Sequence, residues 1–486
     1  MVPIQKKLIS GLFWVLLLNI LIKPLWILGI EVGVQNAVGA EAYGFYFSIF
    51  NFAYIFNILL DFGITNFNTR NIAQHPHLIN KYFGGILTIK LLLLAFYLVV
   101  TFTVGLLIGY NSHQFALLAI LTFNQFLNSL ILYLRSNFEG LLLFKWDSVL
   151  SVLDRLIMII ICGVLLLNNY TRSHFKIEYF VLAQTAAYVI TTIVALATLL
   201  HNRQAHTLRP RLRFNKPFSL AILKQSAPFA LLVLLMASFN RIDPVLLQRL
   251  LPDGDYQAGI YASAFRLLDA LTMIAYLFSV PLLPIYSRLV KENSNQEISK
   301  TTKSMFSLVW VFSTTAAITL STLASPLMEL LYIEHTDASS QVFSILIYGI
   351  IPISFTYVFG TLLTANGSLK QLNIFAALSL VLNIGCNLWL IPRFAATGSA
   401  WASLTTQSFM AITQMVAAFR IFHLRITFKY LWRLLLFLCI VISINFFSHF
   451  SIWWHILIVS VIALIFAFLL FDFNLKQLFR NEAKER

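Results

Sequence analysis

The sequence predicts an all-α integral membrane protein with about fourteen transmembrane helices and no soluble domain large enough for a catalytic core. Of its 486 residues, 59% are hydrophobic and only 11% are charged, whereas a soluble domain carries about 25% charged residues. The apolar residues form repeated runs of roughly 20, the length that crosses the hydrocarbon core as a helix. Because backbone amides in lipid must be satisfied within the segment, these runs are expected to be helical.

Each apolar run is assigned to one spanning helix. The alternating runs of about 10 residues that mark spanning strands do not occur in the sequence. The first run has no convincing cleavage site and is interpreted as a retained helix rather than a signal peptide. The predicted spans are 9–31, 42–66, 83–109, 115–135, 147–167, 178–200, 225–248, 257–285, 304–324, 341–364, 372–391, 397–418, 430–448 and 452–471.

The distribution of basic residues predicts that both termini lie in the cytoplasm. The chain has 34 Lys and Arg against 19 Asp and Glu, a net charge of +15. With the amino terminus inside, about 25 basic residues fall in cytoplasmic segments, about 4 outside and about 5 within helices, as the positive-inside rule requires. The outer loops at 31–41 and 329–337 contain no Lys or Arg. The basic charge therefore indicates membrane topology rather than nucleic-acid binding.

The longest polar interruption divides the chain into two halves. The basic stretch at 201–217 separates the sixth and seventh predicted helices, and each of its arginines is expected to favour an anionic leaflet by about 1 kcal/mol. We predict an N-terminal six-helix lobe at 1–200, a cytoplasmic linker at 201–220, a C-terminal six-helix lobe at 221–421, a helix pair at 422–472 and a cytoplasmic tail at 473–486.

A short internal repeat supports two related lobes. Residues 43–50 (YGFYFSIF) open the second predicted helix and residues 258–265 (AGIYASAF) open the eighth, with Gly, Tyr, Ser and Phe in the same register. Each lobe has an even number of helices, so both enter the membrane in the same orientation. This predicts parallel repeats related by a pseudo-two-fold axis along the membrane normal, with the substrate path between them.

Ionisable residues inside the predicted helices are the candidates for a binding site, because each costs about 2.5–3.5 kcal/mol at the membrane centre. Lys23 lies in the first helix, and Pro24 after it bends the helix and frees a carbonyl beside the cation. Arg241 lies in the corresponding helix of the second lobe, near Pro244. We predict that Lys23 and Arg241 face one another across a hydrated cavity, with Pro24 and Pro244 as hinges. The alternative for Lys23 is snorkelling to the outer surface.

Further charged residues have two interpretations each. Arg266 lies too deep in the eighth helix to reach water from a lipid-facing position, but Asp269 follows one turn later, so an ion pair is the alternative to substrate binding. A second group lies nearer the cytoplasmic ends, where its members either line the cavity or form interfacial salt bridges. This group comprises Asp61, Arg70, Lys90, Asp154 and Arg155, with Arg70 and Arg155 the strongest cavity candidates. Asp61, Asp243 and Asp269 are the predicted coupling or ion-pair residues.

The excess of membrane-embedded cations over anions predicts an anionic substrate. A hydrated cleft in low-dielectric surroundings that is lined by Lys and Arg concentrates anions, and the planar guanidinium matches phosphate oxygens. No cofactor or metal site is predicted, since the Cys and His residues lack ligand spacing. The sequence also lacks a Gly-rich phosphate-cradling loop. Transport energy is therefore expected from an ion gradient, the membrane potential, a separate partner or the substrate gradient.

Six loose motifs add a resemblance to this interpretation. They are VGAEAYG at 38–44, LDFGI at 60–64, RNIA at 70–73, NRID at 240–243, GIYASA at 259–264 and PLLPIY at 281–286. Together they resemble the Wzx-like polysaccharide and O-antigen flippases of the multidrug/oligosaccharidyl-lipid/polysaccharide (MOP) exporter superfamily. In layout the resemblance covers the chain up to the last two predicted helices. It implies two six-helix lobes around a central cationic vestibule.

The resemblance also implies a function. Such a flippase moves a polyprenyl-diphosphate-linked oligosaccharide, the repeat unit of a surface polysaccharide such as lipopolysaccharide, across the bacterial cytoplasmic membrane by alternating access. The implied partners are membrane lipid, a polysaccharide polymerase and a chain-length regulator. One alternative is a cation-coupled multidrug exporter of the same superfamily, which would depend on Asp61 or Asp243. Another is a membrane glycan polymerase or glycosyltransferase, which would need a larger outer loop than any predicted here.

Overall fold

The computed structural model describes Leu18 and residues 21–201, 216–279, 282–424, 427–447 and 451–471. Within these ranges every regular element is a helix, so the predicted all-α membrane fold is confirmed. The beginning of the first predicted span, most of the linker at 201–220 and the tail at 473–486 lie outside the described residues. The chain forms two compact units, Met1–Gln248 and Arg249–Arg486.

The first unit begins with α-helical residues 21–24 and a π-helix, Leu25–Glu31. Single 3₁₀ turns, Asn57–Leu60 and Pro76–Leu78, flank its second α-helix. Its α-helices are α1 (Val32–Ile55), α2 (Ile64–Gln74), α3 (Ile79–Leu107), α4 (Ser112–Gly140), α5 (Phe144–Leu167), α6 (Asn169–Ser173), α7 (Ile177–His201), α8 (Lys216–Arg241) and most of α9 (Asp243–Leu250).

Helix α4 is the centre of the first unit and packs against α1, α2, α3, α5 and α7. A capping box starts it: the Asn111 side chain accepts from the Gln114 N–H, and the Gln114 side chain accepts from the Asn111 N–H, which satisfies two backbone donors at the helix start. Gly140 near its end allows close approach of α2, because a Cβ there would lie 2.7 Å from the Cβ of Ile72. Helix α8 also packs against α1 and α2.

The second unit contains the remaining helices. They are α10 (Gly254–Ser279), α11 (Leu282–Lys291), α12 (Asn295–Thr322), α13 (Ala324–Leu331), α14 (Thr336–Leu346), a 3₁₀ turn (Ile347–Gly349), α15 (Ile350–Ala365), α16 (Leu369–Phe422), α17 (Phe428–Phe447) and α18 (Ile452–Leu470). Helices α17 and α18 pack on each other and on α12, with Phe437, Val441 and Ala463 buried at this contact. The lobe limits expected from the sequence stay a prediction.

The described residues contain eleven helical runs long and apolar enough to cross a membrane, or up to twelve with the bent pair α8–α9. Two runs include one residue with non-helical backbone angles. These are Gly39 (φ 82°) between the first two predicted spans and Ala395 (φ 48°) between the eleventh and twelfth. The sequence therefore places both breaks, whereas the number fourteen stays a prediction.

The internal repeat has the same local packing in both copies. In α1 the rings of Tyr46 and Phe50 lie 5.7 Å apart, and in α10 the matching rings of Tyr261 and Phe265 lie 5.8 Å apart. All four residues occupy the positions that the sequence alignment pairs. This supports a common local structure, and the axis that would relate the two lobes stays a prediction.

Candidate substrate site

Lys23 lies at the point where the first spanning helix changes its winding. The helix is α-helical through Pro24, and the π-helix begins at the next residue. Proline removes a backbone donor and crowds the preceding turn, and wider π-turns within α-helices occur frequently at functional sites. The Lys23 side chain is half-buried. Trp26 in the π-helix stacks on Phe180 of α7 at 5.9 Å and fixes this segment against the unit.

Arg155 belongs to a polar cluster formed by α4, α5, α7 and the end of the π-helix. Its Nη1 donates to the Ser151 carbonyl at 3.2 Å and lies 3.9 Å from Oδ1 of Asp154. Helix α5, which carries Arg155 and Asp154, packs against α7, which carries Tyr188, and against the π-helix that ends at Glu31. The cluster therefore brings one predicted site cation together with a phenol and two carboxylates.

Amide side chains continue this cluster. The Gln184 Nε2 donates to the Tyr188 hydroxyl at 3.5 Å, and the Asn124 Nδ2 donates to Gln184 Oε1 at 3.3 Å. Amides and hydroxyls both donate and accept, which suits the hydroxyl groups of a sugar. Sequence reasoning did not select Gln184 or Tyr188. The sequence pattern that could have identified them is their spacing of four residues, which puts both side chains on one face of α7.

Arg241 is the last residue of α8 and lies at a bend between two helices of the first unit. Helix α9 begins two residues later, and the two helices are bent by 48°. The Arg241 guanidinium lies 5.1 Å from the centroid of the Tyr54 ring on α1. The Ser48 hydroxyl donates to the carbonyl of Pro244 at 3.0 Å, and Asp243 is fully buried. Helix α1 therefore contacts both sides of this bend, and the role of Pro244 as a hinge stays a prediction.

Arg266 is buried within the second unit, with 5% of the residue exposed. Its Nη1 donates to the Tyr332 hydroxyl at 3.1 Å, and that hydroxyl donates to the Ser263 carbonyl at 3.4 Å. Asp269, the residue expected one turn along the same helix, is exposed. Sequence reasoning did not identify Tyr332, which lies 66 residues after Arg266 in the chain.

Asp61 and Arg70 have different surroundings. The Lys90 ammonium lies 2.9 Å from Oδ1 of Asp61, and the Thr65 N–H donates to Oδ2 of Asp61 at 3.4 Å. Asp61 therefore forms a salt bridge and accepts a backbone hydrogen bond from the first turn of α2. Arg70 is exposed on α2. The facing of Lys23 and Arg241 across a cavity stays a prediction.

An open apolar groove of about 510 Å³ lies between α10, α12 and α18 of the second unit. Leucine, valine, phenylalanine and alanine side chains make up most of its walls, and Thr315, Thr319 and Ser460 supply hydroxyl groups. The groove joins helices that are far apart in sequence. Hydropathy alone therefore gave no signal for it.

A comparison with known protein families identifies the family of this chain. The model for polysaccharide biosynthesis proteins matches residues 8–290, which is more than half of the chain. The chain belongs to the polysaccharide biosynthesis protein family. The match includes all five cations that the sequence singled out as substrate-binding candidates, from Lys23 to Arg266.

Solved transporter structures share the fold of this polysaccharide biosynthesis family member. The lipid II flippase MurJ, in an inward closed conformation, matches with a TM-score of 0.67 at 13% identity, over 94% of this chain and 98% of that one. An inward-facing multidrug resistance MATE family transporter of the MOP superfamily matches with a TM-score of 0.60 at 14% identity, over 82% and 94%. A MOP superfamily transporter from Pyrococcus furiosus matches with a TM-score of 0.59 at 13% identity, over 87% and 96%.

At such low sequence identity, these matches show the fold of the chain and not its substrate. The fold is that of solved membrane transporters and flippases, two of which are MOP superfamily transporters. No curated protein sequence matches this chain significantly.

Proposed function

We propose that this protein is a flippase that moves a polyprenyl-diphosphate-linked oligosaccharide from the inner to the outer leaflet of the bacterial cytoplasmic membrane by alternating access. The observation that carries the proposal is the match to the polysaccharide biosynthesis family, which spans Lys23, Arg70, Arg155, Arg241 and Arg266. Cations at membrane depth are costly and are usually retained for function. Here they supply the charge that an anionic carrier headgroup requires.

Each unit by itself offers candidate contacts for the headgroup. In the first unit, Lys23 beside the π-helix and Arg155 beside Tyr188 offer a cation and a neighbouring set of hydroxyl and amide groups. In the second unit, the Tyr332 hydroxyl orients the guanidinium of Arg266. A guanidinium forms paired hydrogen bonds with phosphate oxygens, and these bonds offset the cost of removing the diphosphate from water.

The tail of the carrier has an apolar path. It remains in the bilayer or lies along the groove between α10, α12 and α18, so its hydrocarbon does not enter water. Each CH₂ kept from water contributes about 0.8 kcal/mol, which makes this separation of tail and headgroup the dominant constraint on the path. The groove supports a lipid-linked substrate over a small soluble drug.

Orientation and coupling complete the proposal. Both termini lie in the cytoplasm, which the lack of basic residues in the outer loops at 31–41 and 329–337 supports. Of the three candidate coupling residues, Asp243 is favoured because it is buried beside the 48° bend between α8 and α9. Pro24 and Pro244 act as the hinges. A polysaccharide polymerase and a chain-length regulator then use the translocated units.

The test is reconstitution in vesicles with a labelled polyprenyl-diphosphate oligosaccharide, with the leaflet that holds the label measured over time. We expect the wild-type protein to equilibrate the label between leaflets. Lys23→Ala, Arg241→Ala and Arg266→Ala are expected to slow this step at unchanged protein level. Arg393→Ala is the matched control, because Arg393 is exposed and outside the family match.

Each alternative function gives a different result. Wild-type flipping by all three alanine variants would remove the cationic site. Export of cationic drugs without movement of the labelled lipid would identify a multidrug exporter. In cells, loss of a flippase traps complete repeat units on the inner leaflet, whereas loss of a polymerase leaves single units outside.

A further inference from the structure

A second pocket lies in the second unit where α16 ends and α17 begins. It has a volume of about 50 Å³ and is lined by residues of α12, α15, α16 and α17. It is separate from the apolar groove and uses none of the predicted substrate-binding residues. The residues that give it its chemistry are Thr302, Lys303, Phe306, Phe359, Phe419 and Tyr430.

A positioned cation lies at the mouth of this pocket. The Lys303 Nζ lies 4.6 Å from the centroid of the Tyr430 ring, within the range of a cation–π interaction. The Tyr430 hydroxyl is 2.8 Å from the Ser307 Oγ and donates to the Lys303 carbonyl at 3.3 Å. Tyr430 is therefore fixed on α12, and the exposed Lys303 ammonium is held over its face.

The floor of the pocket is aromatic. The Phe306 ring lies 5.6 Å from that of Phe359, and the Phe359 ring lies 6.0 Å from that of Phe419. These rings come from three different helices and form one apolar surface below the cation. The pocket is consequently amphipathic, with positive charge at its rim and hydrocarbon-like walls inside.

The position of the pocket along the helices matches the boundary of the membrane. Helix α16 ends at Phe422 and α17 begins at Phe428, so the pocket lies at the end of these spans. Trp432, one turn into α17, is 60% exposed, as expected for an aromatic residue at the level of lipid headgroups. Lys429 and Lys300 are also exposed at this end. A cation here is at the depth of lipid phosphates.

We infer that this pocket binds the headgroup of an anionic phospholipid, with its phosphate at Lys303 and the first part of one acyl chain on the Phe306–Phe359–Phe419 floor. The enclosed space of about 50 Å³ has room for roughly four groups the size of a water molecule. The phosphate therefore stays at the rim with Lys303, and only the first carbons of one chain enter. The bound lipid joins α12, α15 and α16 to α17. It is therefore expected to stabilise the attachment of the α17–α18 pair, whatever the protein transports.

The experiment measures thermal unfolding of the full-length protein in detergent while phosphatidylglycerol or phosphatidylcholine is added. We expect the unfolding temperature to rise with phosphatidylglycerol and less with phosphatidylcholine. Lys303→Gln should raise the half-saturating phosphatidylglycerol concentration about fivefold, as expected for loss of one cation near a lipid surface. Lys303→Arg keeps the positive charge and should have the half-saturating concentration of the wild type. The matched control is Lys300→Gln, one turn earlier on α12 and outside the pocket, with little change expected.

Further arms identify the ligand. Inorganic phosphate alone should give no comparable rise, since it cannot use the aromatic floor; an equal rise would assign the site to a free anion and overturn the lipid assignment. Equal stabilisation by both lipids, or an unchanged half-saturating concentration in Lys303→Gln, would also overturn it. If Lys303→Gln cannot be purified, native mass spectrometry can compare how much phosphatidylglycerol the wild type and Phe419→Ala retain. The variant should retain less, and equal retention would contradict the proposal.

Discussion

The ammonium nitrogen of Lys90 lies 2.9 Å from Oδ1 of Asp61, at a depth where only 1% of the lysine side chain is exposed. The same nitrogen donates to the Leu60 carbonyl at 3.2 Å and to the Ser129 hydroxyl at 2.8 Å. Three acceptors match the three donors of an ammonium group. Lys90 therefore ties α3 and α4 to the irregular segment between α1 and α2.

We predict that Lys90→Met strongly lowers the stability of the first unit. Removing one partner of a buried ion pair costs about 3–5 kcal/mol, and the lower end applies because 21% of the Asp61 side chain is exposed. The measurement is the unfolding temperature of the purified protein in detergent. The double variant Lys90→Met with Asp61→Asn should recover part of the loss, because it no longer leaves a carboxylate unpaired.

Lys145→Met is the control for that experiment, since Lys145 is exposed at the start of α5. It should unfold at the wild-type temperature. An unchanged unfolding temperature in Lys90→Met itself would show that the salt bridge contributes little to the stability of this unit.

The bend in α16 gives a second prediction about stability. Gly398 follows the non-helical residue Ala395, and a Cβ at Gly398 would lie 2.7 Å from the carbonyl carbon of Leu390 and overlap its oxygen. Gly398→Ala should therefore destabilise the protein by about 1–3 kcal/mol, as overpacking does. Thermal unfolding measures the effect.

Gly385 on the first arm of the same helix is the matched control. An added Cβ there would meet no atom within 4 Å, and alanine favours a helix over glycine by about 0.5–1 kcal/mol. Gly385→Ala should be neutral or slightly stabilising. Equal destabilisation by both variants would mean that the close approach to Leu390 is not the reason why Gly398→Ala is less stable.

The spans and the two breaks could be predicted because they depend on local properties of the chain. Apolar runs set the helices. The breaks at Gly39 and Ala395 fall between predicted spans at 31–42 and 391–397, where hydropathy drops. Pro24 likewise marked the change from α-helix to π-helix. Each of these features is encoded within a few residues.

The partners of the charged residues could not be predicted in the same way. Arg266 donates a hydrogen bond to Tyr332, 66 residues away, whereas the ion pair of Arg266 with Asp269 stays a prediction. The hydrogen bonds from Asn124 to Gln184 and from Gln184 to Tyr188 connect α4 with α7. Such contacts depend on how helices pack, and one sequence does not specify which side chains then meet.

The Arg266–Tyr332 contact gives a prediction about transport, and it rests on the proposed function. Tyr332→Phe keeps the ring but removes the hydroxyl that accepts from Arg266 Nη1 and donates to the Ser263 carbonyl. Loss of one hydrogen bond to a charged group is worth about 1.5–3 kcal/mol. The flipping rate in vesicles should therefore fall roughly tenfold or more, because the guanidinium is less well oriented.

Tyr256→Phe is the matched control in the same unit. The Tyr256 hydroxyl lies 3.0 Å from Nδ1 of His335 at an exposed position, so its removal should leave the rate unchanged. Wild-type flipping by Tyr332→Phe would show that the hydroxyl does not position Arg266 for the substrate, even if Arg266→Ala itself is inactive.

The groove gives the final prediction, which separates the lipid tail from the headgroup. Ser460 lines the groove on α18, and Ser460→Trp should fill part of it. Excluding two or three CH₂ groups of a tail, at about 0.8 kcal/mol each, should raise the KM for a long-chain substrate roughly tenfold or more. Val461→Trp is the control, because Val461 is the next residue, is 48% exposed and faces away from the groove. A water-soluble, short-chain analogue of the substrate should bind both variants equally. An equal KM for the long-chain substrate in both variants would leave the bilayer, and not the groove, as the path of the tail.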